Sequence, residues 1–492
     1  MRVFLLGDAR VAIAANAREY RLARRNAALA ALPEAITTLF AALGCLACVG
    51  LLASGAGPAV LAVVLCLSLS RSQLDRNRRE RIEAAVVLPV VGLAATGIGL
   101  LLLRHPWLGA TTFTAGMFVS IWLRRFGPVA RRFGSLLALP FVVLLVTPHL
   151  PAMQQSLLPG WLLPIVIALL ALLWVSALHA LARRIGFLPP LRVREFAAVE
   201  SPRASTLRPI ASTRMAIQMA AALALSFTAG FIFFSERWAW IVLTAFIVLS
   251  GNRGRLDVAY KSVQRVLGAA AGTVFALLLS PLAAAHGSTG AALMLTAVFL
   301  GVWLRPLNYA WWALFVTIAL ALLQGFGDIP PARILPLRME EIVIGAAIGV
   351  ACAWWLLPVR STDVLRRRLA DALAAFAAAL NPEDRARTPD PFIDALARLE
   401  EMAPAFRVLG RISSRSRAAL AAEWTNALLG CRNDAVALIE SGAAAGKARR
   451  AVASCRQALR SPETLLPALL DLKEILAGQS VETHIEERIE AG

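Results

Sequence analysis

The stretch IVLSGNRGRLDVAYKSVQRVLG, Ile247–Gly268, opens as aliphatic sequence fit for a bilayer, packs Arg253, Arg255, Lys261 and Arg265 into a short connector, and turns apolar again. Positive charge set between two apolar runs is the pattern of a loop held on the cytoplasmic face, because short basic loops resist translocation. A run of similar character, SRSQLDRNRRER at Ser70–Arg81, occupies the corresponding place in the first half of the chain.

Composition agrees with a membrane setting. The 492-residue chain is 58% hydrophobic and 16% charged, with a mean hydropathy of +0.67. That is more apolar surface than one soluble core hides, so the bilayer is the expected solvent. The net charge of +19 does not point to nucleic acid, since the cations lie in short loops rather than on a soluble basic domain. Lysine occurs only at Lys261, Lys447 and Lys473, so nearly all the positive charge is arginine.

A span needs about 20 mainly apolar residues. Candidates in the first half are 32–54, 57–70, 84–103, 107–123, 133–147 and 161–181; in the second, 215–234, 238–250, 265–281, 289–304, 309–324 and 339–357. The Arg-rich connectors then fall on one side and the charge-poor ones, such as Thr147–Gly160, on the other. This orients both termini to the cytoplasm. An even number of spans per half makes the repeats parallel, with a substrate site expected at their interface. The expected fold is therefore all-α: a polytopic bundle of two parallel six-helix repeats, about 12 spans, plus a cytoplasmic helical domain. Residues 1–31 form a cytoplasmic amino-terminal segment, 32–182 the first repeat, 183–214 a linker, 215–357 the second repeat and 358–492 the helical domain. No signal peptide is visible at the start, where Arg2, Asp8 and Arg10 interrupt the apolar residues.

Several motifs fail as chemistry. Cys45 and Cys48 make a CxxC inside an apolar span, which reads as helix packing. Cys431 and Cys455 face a reducing cytosol, so no disulfide is expected. GAAAGKA at Gly442–Ala448 has one residue too few between its glycines for a P-loop and Ala448 where Ser or Thr is needed. The histidines 105, 149, 179, 286 and 484 lack metal-ligand spacing. No catalytic nucleophile, metal or cofactor is expected, and the chain does not read as an enzyme.

Two motifs remain. Arg265, Gly268 and Gly272 share one helix face, where the glycines let a neighbouring backbone approach and the arginine stands at the cytoplasmic entrance. A packing seam capped by a topogenic arginine is one reading; an anion contact is the other. Glu341, Gly345 and Gly349 recur every fourth residue in RMEEIVIGAAIG, Arg338–Gly349. A glutamate in a span is costly unless it is paired or lines water, so Glu341 is a candidate for proton coupling. The candidate helix 238–250 rises only about 20 Å against a hydrocarbon core of about 30 Å. Its turn therefore brings Arg253, Arg255 and Arg265 towards a cavity. The tryptophans near span ends, Trp238 among them, read mainly as an aromatic belt, with one or two available to stack on a ring.

These residues together resemble the fusaric acid resistance or aromatic acid exporter family. The resemblance rests on Trp238 and Thr244 in the short span, Arg253 and Gly254 in the turn, and Arg265, Gly268 and Gly272 in the next helix. Arg305, Pro306, Tyr309 and Thr317 follow, then Arg338, Glu341 and Gly345. It departs from the family at Gly251, where proline is common, and at Ala269, where threonine is common. The resemblance implies efflux of small organic anions, typically aromatic carboxylates, across the bacterial inner membrane. Arg265, Arg253, Arg255, Trp238 and Thr244 are the substrate-binding candidates. It also allows a periplasmic adaptor protein and a homo-oligomer. An anion channel similar to plant malate channels, and a non-transporting structural or regulatory membrane protein, are the alternatives.

Overall fold

The computed structural model describes residues 2–72, 78–127, 155–189, 211–234, 237–285, 287–324, 331–381, 388–412, 417–442 and 445–490, with scattered helical residues between 130 and 145. The chain divides into two compact units: Met1–Ser250 with Lys261–Leu357, and Gly251–Tyr260 with Pro358–Gly492.

In the first unit the described helices are α1 (Arg2–Leu52), α2 (Ala56–Ser72), α3 (Arg78–Arg104), α4 (Pro106–Trp122), α5 (Leu163–Arg184), α6 (Ala211–Phe233) and α7 (Trp238–Leu249). They continue with α8 (Arg255–Ala285), which belongs to this unit from Lys261 onwards, α9 (Gly287–Leu304), α10 (Tyr309–Gln324) and α11 (Pro331–Trp355). Among the described residues, five helical stretches are long and apolar enough to cross a membrane: Arg25–Leu52, Arg81–Arg104, Leu163–Arg184, Ala211–Phe233 and Arg255–Leu282. Four shorter apolar helices accompany them, at Gly57–Ser70, Trp238–Leu249, Thr289–Leu304 and Tyr309–Leu322. Several helices also leave large apolar side chains exposed along one face. On α3 these include Ile82, Val86, Val90 and Leu93; on α8, Val263, Leu267, Val274 and Leu278. Stripes of that extent are unfavourable in water and suit contact with lipid chains. The protein is an integral membrane protein built from helices.

Two expectations about local structure change. The amino-terminal segment and the first span are one continuous helix, Arg2–Leu52. The basic connector is helical from Arg255 onwards, so the turn shrinks to residues 250–254. Asp257 lies in the first turn of α8, where a carboxylate suits the positive end of the helix dipole, and the Arg253 backbone N–H donates to its Oδ2 at 3.1 Å. The expected span at 133–147 and the expected linker at 183–214 both fall partly outside the described residues; the linker's described ends at 183–184 and 211–214 are helical, continuing α5 and opening α6. Residues 73–77 of the other basic connector also lie outside the described residues.

Two glycine seams set the packing of the second half. A Cβ on Gly268 would lie 2.5 Å from the Ala310 carbonyl oxygen and 2.7 Å from the Ala313 Cβ; on Gly272 it would meet the Leu314 carbonyl at 2.5 Å and the Thr317 Cβ at 2.9 Å. The second seam joins α11 to α7, where a Cβ on Gly345 would overlap the Ile241 carbonyl and lie 2.9 Å from the Thr244 Cβ. Four residues on, Gly349 packs beside Val248. In each seam residue numbers rise together on both helices, so α8 runs parallel to α10 and α7 to α11. Helix α7 is buried on nearly every side, which explains a sequence, WAWIVLTAFIVL, with no polar face.

The second unit continues with α12 (Ser361–Ala379), α13 (Asp390–Glu400), α14 (Ala403–Ile412), α15 (Arg417–Gly430), α16 (Arg432–Ser441), α17 (Gly446–Ala458) and α18 (Pro462–Glu490). Its core gathers Leu369, Phe376, Phe392, Phe406, Leu428 and Leu472, with the Phe376 and Phe392 rings stacked at 4.8 Å. Cys431 and Cys455 are free thiols inside this core. Burial pushes the first up to about 11 and the second to about 12, so both are poor nucleophiles near neutral pH.

Replacing Gly268 or Gly272 with leucine is expected to separate α8 from α10, whereas Gly50, with no atom within 4 Å of an added Cβ, should accept leucine. Thermal denaturation of purified protein in detergent checks this. A loss of roughly 1–3 kcal/mol or more is expected for the seam variants, and little change for Gly50→Leu.

Candidate functional site

A cavity of about 340 Å³ lies between helices of the two halves of the first unit. Helix α1 contributes Leu46, and α2 contributes Ala59, Val60, Val63, Val64, Leu67 and Ser68. From the second half come residues of α7, α8, α9 and α10, together with Arg305 between the last two.

The polar lining is concentrated at one level. Helices α7 and α9 run through apolar residues (Leu243, Phe246 and Ile247; Met294, Leu295 and Val298) before reaching Ser250 and Arg305. Helix α8 contributes only Lys261 and Arg265, and α10 begins at Tyr309 before passing Val316, Ala319 and Leu320. From Tyr309 to Leu320 the rise is about 16 Å, so the cavity has a cationic end and a long apolar end. Among the described residues, no Asp or Glu side chain lines it.

Arg265 anchors the cationic end. It is only 2% exposed, and its Nε has no hydrogen-bond partner among the described residues. A buried guanidinium with an N–H left without an acceptor is unfavourable, and an entering carboxylate would offset that penalty by accepting from it. The Tyr309 hydroxyl, also buried, is likewise without a partner among the described residues. Lys261 Nζ donates to the Ser250 carbonyl at 2.7 Å and sits 5.6 Å from the centre of the Tyr309 ring. The Arg305 guanidinium lies 5.7 Å from the Trp312 ring centre.

Asn308 fixes where α10 begins. Its Oδ1 accepts from the Ala310 backbone N–H at 2.9 Å, the geometry of a helix cap, and from Gln264 Nε2 at 2.5 Å. Gln264 precedes Arg265, so one side chain ties the arginine's helix to the start of the helix that carries Tyr309.

A second charged group lies along the α7–α11 seam. Glu341 is 1% exposed and lies 3.5 Å from the half-exposed Arg237, with neither carboxylate oxygen hydrogen-bonded among the described residues. One turn away, buried Arg338 places its guanidinium 4.2 Å from the Trp240 ring centre.

The sequence candidates thus separate. Arg265 lines the cavity. Arg253 and Arg255 belong to the other unit: Arg253 pairs with Glu401 at 2.6 Å, and the Arg255 backbone N–H donates to the Val359 carbonyl. Trp238 packs 5.3 Å from Phe227 and 5.6 Å from Phe231. Thr244 is fully buried in the α7–α11 seam opposite Gly345. Lys261, Arg305, Tyr309 and the α2 face are lining residues that sequence reasoning did not select. For α2 the signal was only helical spacing, which a lipid-facing stripe shares.

Comparison with known proteins places the basic wall in a recognised setting. Residues 219–352 match the fusaric acid resistance protein-like family. No curated protein matches the chain. Both glycine seams, Arg265, Arg305, Tyr309 and Glu341 fall inside the fusaric acid resistance protein-like segment, whereas α1 and α2 fall outside it. Among the described residues, no group of His, Cys, Asp or Glu side chains is placed to hold a metal.

Asn308→Ala is expected to fray the start of α10, lowering stability by about 1 kcal/mol, while Asn308→Asp keeps an accepting oxygen and loses less. Thermal denaturation of purified protein in detergent is the measurement.

Proposed function

We propose that this protein is a membrane transporter that exports small organic anions, aromatic carboxylates above all, from the cytoplasm across a bacterial inner membrane. The observation that carries the reading is the buried Arg265 guanidinium in the wall of a largely apolar cavity that no carboxylate lines among the described residues. The fusaric acid resistance protein-like match supports it. In this reading the helices form about 12 spans in two parallel six-helix repeats, with 358–492 as a cytoplasmic domain and both termini inside. The basic loops then place the cationic end of the cavity towards the cytoplasm. The anion enters there and is held by Arg265, whose planar fork suits a carboxylate. A membrane potential, negative inside, favours its exit by roughly 2.3 kcal/mol per charge per 100 mV.

Uptake of a radiolabelled aromatic carboxylate into inside-out vesicles tests the role of Arg265. At matched protein levels Arg265→Ala and Arg265→Lys should both lose about 10- to 100-fold in uptake, since lysine keeps the charge and loses the fork. Wild-type rates with lysine would return Arg265 to a topogenic role.

Glu341 is the group proposed to carry a proton. Arg237 and Arg338 are the cations facing it, and Glu340 is the adjacent carboxylate. Glu341→Gln should abolish uptake driven by an imposed proton gradient while leaving anion-for-anion exchange near the wild-type rate. Gradient-driven uptake that survives the substitution would remove Glu341 from coupling.

A further inference from the structure

We propose that the α2 face Ala59, Val60, Val63, Val64 and Leu67 selects the exported molecule by the size and single charge of its body. This deepens the transport reading above and rests on it. The five residues follow helical spacing and line one wall of the cavity, with Ser68 ending the same face at the polar level. Lys261, Arg265 and Arg305 gather all the charge of the lining among the described residues. The two functions come from different parts of the chain, since the cations lie within the family-matched segment and the α2 face lies outside it.

A bound monocarboxylate meets both demands at once. Its carboxylate sits at Arg265 and its ring lies along α2, where apolar contact replaces water. A second carboxylate at the far end of the ring would face apolar side chains, Val63, Leu295 and Leu320 among them, with no cation among the described lining residues there to offset its lost hydration. The site therefore rejects an end-to-end dianion while accepting the monoanion of the same ring. Body size is limited by side-chain volume at the middle of the face, and Val63 occupies that middle.

The experiment uses the full chain in inside-out vesicles and three probes: benzoate, 2-naphthoate and terephthalate. Wild type should take up the two monocarboxylates and accumulate terephthalate about 100-fold more slowly, the scale on which buried sites reject a badly matched group. Val63→Phe should lower the ratio of naphthoate to benzoate uptake about tenfold, and Val63→Ala should raise it about threefold. Because the ratio is taken within one preparation, differences in expression cancel. Should Val63→Phe fail to fold, Val63→Ala decides the point, since a truncation leaves room rather than crowding. An unchanged ratio in the folded variants, or terephthalate uptake at the benzoate rate, overturns the proposal while leaving transport standing. A wild type that accumulates none of the three overturns the transport reading itself.

Discussion

Backbone contact through glycine is the constraint on which the rest of the second half depends. At Gly268, Gly272 and Gly345 the neighbouring helix lies so close that a single added carbon would overlap a carbonyl oxygen. Helices at that distance exclude both water and lipid from between them. Arg265 and Glu341, one turn before the first glycine of each seam, are consequently buried. In a bilayer such charges persist only where a partner, a cavity or a ligand stabilises them. The seams thus supply rigidity and hold two charges in places where neither is comfortable alone.

The two charges are treated differently. Glu341 has a cation at 3.5 Å, and that cation, Arg237, reaches the surface. Arg265 lines an open cavity and, among the described residues, has a tyrosine hydroxyl nearby instead of a carboxylate. The difference matters because a fixed salt bridge at Arg265 would compete with any anion for the same N–H groups. Leaving the arginine without a protein carboxylate sacrifices some stability and keeps its binding capacity for a ligand.

Much of this was legible in the sequence. The glycine spacing gave the seam faces, and the turn glycines were readable as punctuation: Gly251 and Gly254 adopt φ of +64° and +128°. At Gly251 the departure from the family has a physical meaning, since proline is locked near −65° and cannot take this conformation. What the sequence could not separate was three arginines within 13 residues, Arg253 to Arg265. Once α8 starts at Arg255, Arg265 lies about 15 Å further along the helix, in the wall of the cavity. Arg253 instead pairs with Glu401, a partner 148 positions away that no local pattern reveals. Thr244 illustrates the same limit: as part of a motif it reads as a ligand, and in the fold it is the surface against which Gly345 packs.

The apolar end of the cavity was the least legible part, for a reason specific to membrane proteins. In water, a face of Val, Ala and Leu announces a core; in a bilayer the same face can meet lipid, another helix or a substrate. Helix α2 shows that these cases share one sequence signature, because Val63 and Val64 line a cavity while Leu65 and Cys66, the next residues along, are buried in the packing of the first half. Charge is easier to trace, since each buried cation demands an account of what neutralises it. Sequence comparison accordingly recognises the segment that carries the charges and passes over the wall that carries the shape. The shape of the cavity can then change through volume changes on α2 while its cationic end stays fixed, because an apolar substitution there disturbs no ion pair and breaks no hydrogen bond.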